Sequence, residues 1–226
     1  MAMNERKTET VSEALELDMV GDRYPYSDGM SPAACAVKRL FDVVASLTGL
    51  IVVSPVMLVV SWLIKREDGG PVIFRQERIG YHGKPFMLYK FRSMSVTAEA
   101  DGKPELCHKD DRRLTRVGRF LREHHLDEIP QLWNVLKGEM SFVGPRPERA
   151  FFVEKIRKIN PDYDLLYKLR PGLFSPATLY NGYTDTMEKM LQRLRMDLDY
   201  LANRSLWLDL KIIYLTVTSI LLGKKF

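Results

Sequence analysis

At 226 residues, 46% hydrophobic and 28% charged, the chain is long enough to bury the core of one domain and too apolar for a disordered polymer. Its net charge of +5 and isoelectric point near 9.1 suit an anionic partner, whether nucleic acid, an acidic bilayer surface or a phosphorylated substrate. Two distant cysteines, Cys35 and Cys107, exclude a disulfide framework, offer no metal-ligand spacing and fit reduced thiols in the cytoplasm.

Residues 1–31 are polar and rich in turn formers, and they lack the apolar core behind a basic start that a signal peptide needs. Val11, Ala14 and Leu15 allow one short helix there; a loosely ordered tail is the other reading. Residues 43–64 then run for roughly 22 positions without a charge, enough for a transmembrane helix. Two details argue against a simple span. Lys38-Arg39 precede the run and Lys65-Arg66 follow it, which draws both ends to the cytoplasmic side. Ser54-Pro55 stands at its middle, where proline interrupts the hydrogen-bond ladder and a serine hydroxyl can satisfy the freed carbonyl. Each half is about 15 Å of helix, half of a ~30 Å hydrocarbon core. A re-entrant helix–break–helix over 36–66 and a kinked bitopic helix both fit these residues. Asp42, beside the basic pair, reads as an interfacial ion-pair partner of Arg39.

Past Gly69-Gly70-Pro71 the period shortens. Residues 72–79 and 85–92 read as two strands of a hairpin around Tyr81-His82-Gly83-Lys84. Alternation places Leu88, Lys90 and Arg92 on one face of the second strand and Met87, Tyr89 and Phe91 on the other. Residues 97–111 read as a surface loop, and the segment 110–122 behind it is dense in arginine, including Arg113 and Arg122. Such a run also fits nucleic-acid binding. His124 and His125 are adjacent and no His-Glu-x-x-His pattern exists, which argues against a zinc site.

The stretch 126–148 reads Leu-Asp-Glu-Ile-Pro-Gln-Leu-Trp-Asn-Val-Leu-Lys-Gly-Glu-Met-Ser-Phe-Val-Gly-Pro-Arg-Pro-Glu. Ile129, Leu132, Trp133 and Leu136 form the apolar stripe of a short helix that Gly138 ends. Pro130 then belongs to its first turn, and Asp127 and Glu128 lie at its N-terminus beside free N–H groups, a place suited to phosphate. The same two residues also read as an ordinary cap and first-turn charge. Gly144-Pro145-Arg146-Pro147 is a stiff turn presenting one guanidinium, which either meets a phosphate or pairs with Glu148. Further on, 151–164 reads as a helix with Phe152, Ile156 and Ile159 inward, and 206–222 as an interfacial or buried helix too short to span.

The run 126–148, with Lys90-Phe91-Arg92-Ser93-Met94 upstream and Leu169-Arg170-Pro171-Gly172 downstream, resembles the bacterial sugar transferase family. Within it the likeness is to the small monotopic phosphoglycosyl transferases that act on polyprenyl phosphate, and it extends from about Lys38 to the C-terminus. The resemblance implies a mostly helical α+β monotopic membrane protein with a re-entrant helix, a β-hairpin and amphipathic interfacial helices. It divides the chain into a polar tail (1–35), a re-entrant membrane helix (36–66) broken at Ser54 and Pro55, and a catalytic domain (67–226). It further implies transfer of a phospho-sugar from a UDP-sugar to undecaprenyl phosphate with release of UMP, an early membrane step of glycoconjugate assembly. Asp127 is then the nucleophile that forms an aspartyl-phosphosugar, Glu128 its partner and the ligand of Mg²⁺, and Lys90, Arg92, Arg113, Arg122 and Arg146 the phosphate-binding cations. The expected place is the cytoplasmic face of the bacterial inner membrane, with membrane lipids and no nucleic acid as partners and a homodimer left open. The segment 173–184 departs from the family's pattern, so the sugar is unspecified. Asp197, Asp199, Tyr200 and Asp209 read as structural or supporting residues.

Overall fold

The computed structural model describes residues 27–98, 111–181, 184 and 186–222. The short helix considered near Val11, Cys107 and nearly all of the expected loop at 97–111 lie outside them.

The apolar run lies within α1 (Pro32–Asp68). Ser31 caps it, its hydroxyl accepting from the Ala34 N–H at 3.2 Å, and left-handed Gly69 ends it. The helix continues through Pro55. Proline leaves the carbonyl four residues back without a donor, and the Ser54 hydroxyl donates to that carbonyl, Ile51 O, at 2.8 Å. α1 is buried only towards its two ends, at Asp42 and Ser46 and again at Val60 and Ile64, while Ile51, Val52, Leu58 and Trp62 stand exposed.

Both ends of this helix are fastened to the same body. Near its start, Arg39 donates to Val135 O at 2.7 Å and Leu136 O at 2.9 Å. One turn later, Asp42 accepts from the Phe142 N–H at 3.0 Å. Asp42 therefore serves a strand as well as its basic neighbours. Near the helix end, Val60 and Ile64 pack with Phe91 and Leu121, and Asp68 pairs with Arg92.

The hairpin forms as expected. β1 (Ile73–Ile79) pairs antiparallel with β2 (Pro85–Phe91) from Ile73↔Phe91 to Ile79↔Pro85, across a 3₁₀ turn at Tyr81–Gly83. A basic helix, α2 (Arg116–Glu123), follows and is capped by Thr115. A 3₁₀ turn at Leu126–Glu128 leads into α3 (Gln131–Lys137), which left-handed Gly138 ends. β3 (Ser141–Val143) and β4 (Gly172–Phe174) form a small parallel pair. Between them lie α4 (Ala150–Ile159) and a 3₁₀ run at Pro161–Lys168. The helix expected over 151–164 therefore stops early. Pro161 disfavours helical backbone at Asn160, whose side chain accepts from the Asp162 N–H at 2.9 Å and starts the new turn.

α5 (Pro176–Asn181), α6 (Met187–Asn203) and α7 (Leu206–Leu221) close the chain. Phe152, Val153 and Ile156 of α4 pack against Met190, Leu194 and Leu198 of α6, the largest core cluster. α7 buries Asp209, Ile212 and Thr216 and leaves Trp207, Leu210, Tyr214 and Val217 exposed, so it is seated on the body and apolar on the outside.

Candidate active site

The Asp127-Glu128 pair is reached from α2 through His125, whose left-handed backbone (φ 55°) turns the chain into the 3₁₀ turn. The helix-terminus expectation for this stretch requires correction. The N–H groups of Glu128, Ile129, Leu132 and Trp133 donate to the carbonyls of His125, Leu126, Ile129 and Pro130 at 3.1–3.4 Å, so tight turns consume the donors that a helix end would offer to phosphate.

The apolar stripe of α3 is corrected as well. Leu132 and Val135 are buried with Gln131 and Asn134, whereas Trp133 is 50% exposed. The physical reason lies in β2, which has one free edge. Asn134 completes it, donating from Nδ2 to Met87 O at 2.7 Å and accepting at Oδ1 from the Tyr89 N–H at 3.1 Å. Its amide acts as one more peptide unit and docks α3, with the carboxylate pair before it, beside Lys90.

Lys90 donates to Glu128 Oε1 at 2.6 Å and Arg146 Nη2 to the same oxygen at 3.1 Å, bringing three expected site residues together from β2, the 3₁₀ turn and the Pro-Arg-Pro turn. Asp127 is 5% exposed beside them. The two neighbouring carboxyls are pushed in opposite directions. Burial, reinforced by the Glu128 charge, lifts Asp127 above the ordinary carboxylate range against the pull of Lys90, Arg122 and His125. Burial also opposes the charge of Glu128, but Lys90 and Arg146 outweigh it and hold Glu128 ionised well below that range. Arg122 thus joins the site electrostatically, its Nε held by Ser93 Oγ at 3.0 Å.

Two other expected cations are placed differently. Arg92 donates to both oxygens of Asp68 and to Pro71 O at 2.6 Å, a clamp between the end of α1 and the hairpin. Arg92 lies one residue past the end of β2, and alternation along the strand gave no sign of the carboxylate waiting there. Arg113 holds Asp111, two residues back, at 2.8 and 2.6 Å.

The turn bearing Arg146 is held on every side. Gly144 N–H donates to Phe174 O at 3.0 Å and Gly172 N–H to Pro145 O at 2.9 Å. The backbones come so close that a Cβ on Gly172 would fall 2.1 Å from the Gly144 nitrogen. Glu148 does not pair with Arg146. Its buried carboxylate is taken by Arg193 Nη2 at 2.5 Å and Arg78 Nη1 at 3.1 Å, and its carbonyl accepts from the Ile79 N–H at 3.0 Å. Arg78 and Arg193 carry no local motif and were not among the expected residues. Asp197, read only as a supporting residue, is buried and accepts from Ser175 Oγ at 3.0 Å. Burial pushes its carboxyl up to about 7 despite Arg193 and Ser175; the Arg146 backbone N–H, which also faces it, acts in the same downward sense as these two.

Residues 33–223 match the family model described as bacterial sugar transferase. The chain belongs to the bacterial sugar transferase family. Over 80% of its length it is 48% identical to a UDP-glucose:undecaprenyl-phosphate glucose-1-phosphate transferase of Klebsiella pneumoniae, and over 85% it is 42% identical to the protein of that name from Escherichia coli K12. Over 96% it is 37% identical to an Aeromonas hydrophila UDP-N-acetylgalactosamine-undecaprenyl-phosphate N-acetylgalactosaminephosphotransferase. The matched regions make up 39%, 42% and 51% of those three family members, so the chain spans about half or less of each.

Proposed function

We propose that this family member transfers a sugar 1-phosphate from a UDP-sugar to undecaprenyl phosphate and releases UMP. The observation that carries the reading is the convergence of Lys90 and Arg146 on Glu128 directly beside buried Asp127. An Asp127 carboxylate oxygen attacks the sugar-linked phosphorus, the bond from that phosphorus to the bridging oxygen breaks, and UMP departs with the electron pair. An oxygen of undecaprenyl phosphate then attacks the same phosphorus and expels the Asp127 carboxylate, giving the lipid diphosphate sugar. Lys90, Arg122 and Arg146 supply fixed positive charge where two polyanions must meet.

Among the described residues no three His, Cys, Asp or Glu side chains cluster to enclose a metal. The donor set fits Mg²⁺ in its usual shared mode, through one or two carboxylates and the phosphates of a substrate. Both cations meet Glu128 at Oε1, so Glu128 Oε2, with Asp127 beside it, would hold the ion. Bound there, Mg²⁺ would neutralise diphosphate charge.

The apolar faces of α1 and α7 support membrane attachment. The exposed side of α1 is apolar, its two ends are fastened to one polar body, and lysine–arginine pairs flank it. We read it as re-entrant, entering and leaving on the cytoplasmic face of the inner membrane, with Trp207 and Tyr214 of α7 at the interface. The test is UMP release by the detergent-solubilised chain from a panel of UDP-sugars with Mg²⁺, with and without undecaprenyl phosphate, wild type beside Asp127→Asn. Acceptor-dependent UMP that disappears in the variant is the expected result; turnover surviving in Asp127→Asn would sink the covalent mechanism.

A further inference from the structure

Arg146 has two glutamates within electrostatic reach, Glu128 in the site and Glu148 two residues along the chain, and both favour its charge. It bonds the first. What decides this is the occupancy of the second. Glu148 is buried, and its two oxygens are already bonded, Oε1 to Arg193 and Oε2 to Arg78. Arg193 stands on α6 one turn before Asp197, so both side chains leave the same face of that helix. Asp197 faces the backbone of Arg146 and holds Ser175, which lies directly after β4, the strand whose Phe174 carbonyl bonds Gly144.

We infer that Arg193 and Asp197 are positioning residues of the transfer reaction: α6 grips the Pro-Arg-Pro turn, Arg193 neutralising Glu148 so that the Arg146 guanidinium goes to Glu128. The inference rests on the proposed phosphosugar transfer. A cation missing at position 193 leaves Glu148 under-neutralised in a buried place, and Arg146, whose charge already acts on Glu148, is drawn to answer it. The site then loses one of its two contacts to Glu128 with no change in any residue that meets the substrate.

The test uses the full chain in detergent, with UMP release from the donor that the wild type turns over. Arg193→Gln is expected to lower kcat/KM about 30-fold or more, Arg146→Ala about 100-fold, and the double variant no further than Arg146→Ala alone within about threefold. Adding Glu148→Gln to Arg193→Gln removes the competing charge and is expected to return at least about tenfold. Losses that multiply in the double variant, or no recovery with Glu148→Gln, would overturn the inference. Should Arg193→Gln fail to fold, Ser175→Ala weakens the same grip through Asp197, and its severalfold loss must vanish in the Arg146→Ala background. Hydrogen exchange across residues 144–150 reads the grip without any turnover, and about tenfold faster exchange is expected in either variant. Unchanged exchange there refutes the grip. A wild type that turns over no donor refutes the transferase reading while the exchange result still stands on its own.

Discussion

Glu128 and Glu148 make the same bonds and do different work. Each is a glutamate gripped by two basic side chains, half-buried Glu128 by Lys90 and Arg146 and buried Glu148 by Arg78 and Arg193. The difference is in the partners. Arg146 keeps 36% of its side chain exposed, whereas Arg193 keeps 7%. A cluster with an exposed cation can trade that contact for a phosphate oxygen, and a sealed one can only hold the chain together. Composition of a charge cluster is therefore a poor guide to its role; access decides.

Substitutions sharpen this contrast. The largest effect belongs to the open cluster: Asp127→Asn is expected to reduce UMP release by about 10³-fold or more with the melting temperature nearly unchanged, since on the proposed mechanism it removes the nucleophile while breaking no ion pair. Glu148→Gln should do the reverse, costing about 3 kcal/mol in denaturant unfolding because it leaves buried Arg193 and half-buried Arg78 without their anion. If Glu148→Gln costs activity but no stability, the contrast fails.

Asp197 gives the next effect. Its folded carboxyl lies at about 7, above its ordinary value of 3.8, so the native state holds a proton that the unfolded chain has lost between those values. Stability from this group is complete below about pH 4 and drains away as pH rises to about 7, by at most about 4 kcal/mol. Asp197→Asn should remove that slope from the melting temperature measured between pH 4 and 8. The smallest effect is on the pH profile of turnover. In the proposed mechanism Asp127 attacks as the ionised carboxylate, and Lys90 is the strongest influence favouring that form. Lys90→Gln should move the acid limb of its residual activity to higher pH; a limb that stays put would mean Asp127 does not titrate in the reaction.

Much of this site was legible in short runs of residues. Asp127, Glu128 and Arg146 lie within one stretch whose turn formers hold them close, and Lys90 sits in a strand whose alternation is plain. The fold's outline was legible for the same reason: the apolar run, the hairpin and the capped helices are local signals. What escaped depends on contacts between distant residues. Arg92 meets Asp68 across 24 positions and Arg193 meets Glu148 across 45, distances over which no periodicity speaks. Asn134 did leave a trace, an amide within an apolar helix, but the meaning of that trace lay in the unpaired edge of β2.

The fastening of α1 has a practical side for anyone who would handle this protein. Arg39 covers the last carbonyls of α3, Gly49 lies against Leu132, and Ile64 closes over Phe91 and Leu121. Cutting the chain after residue 66 to obtain a water-soluble fragment would strip a wall from the chamber rather than detach an anchor. Such a fragment is expected to precipitate even with Asp127 and Glu128 intact, so α1 is a structural part of this body and not merely an apolar appendage.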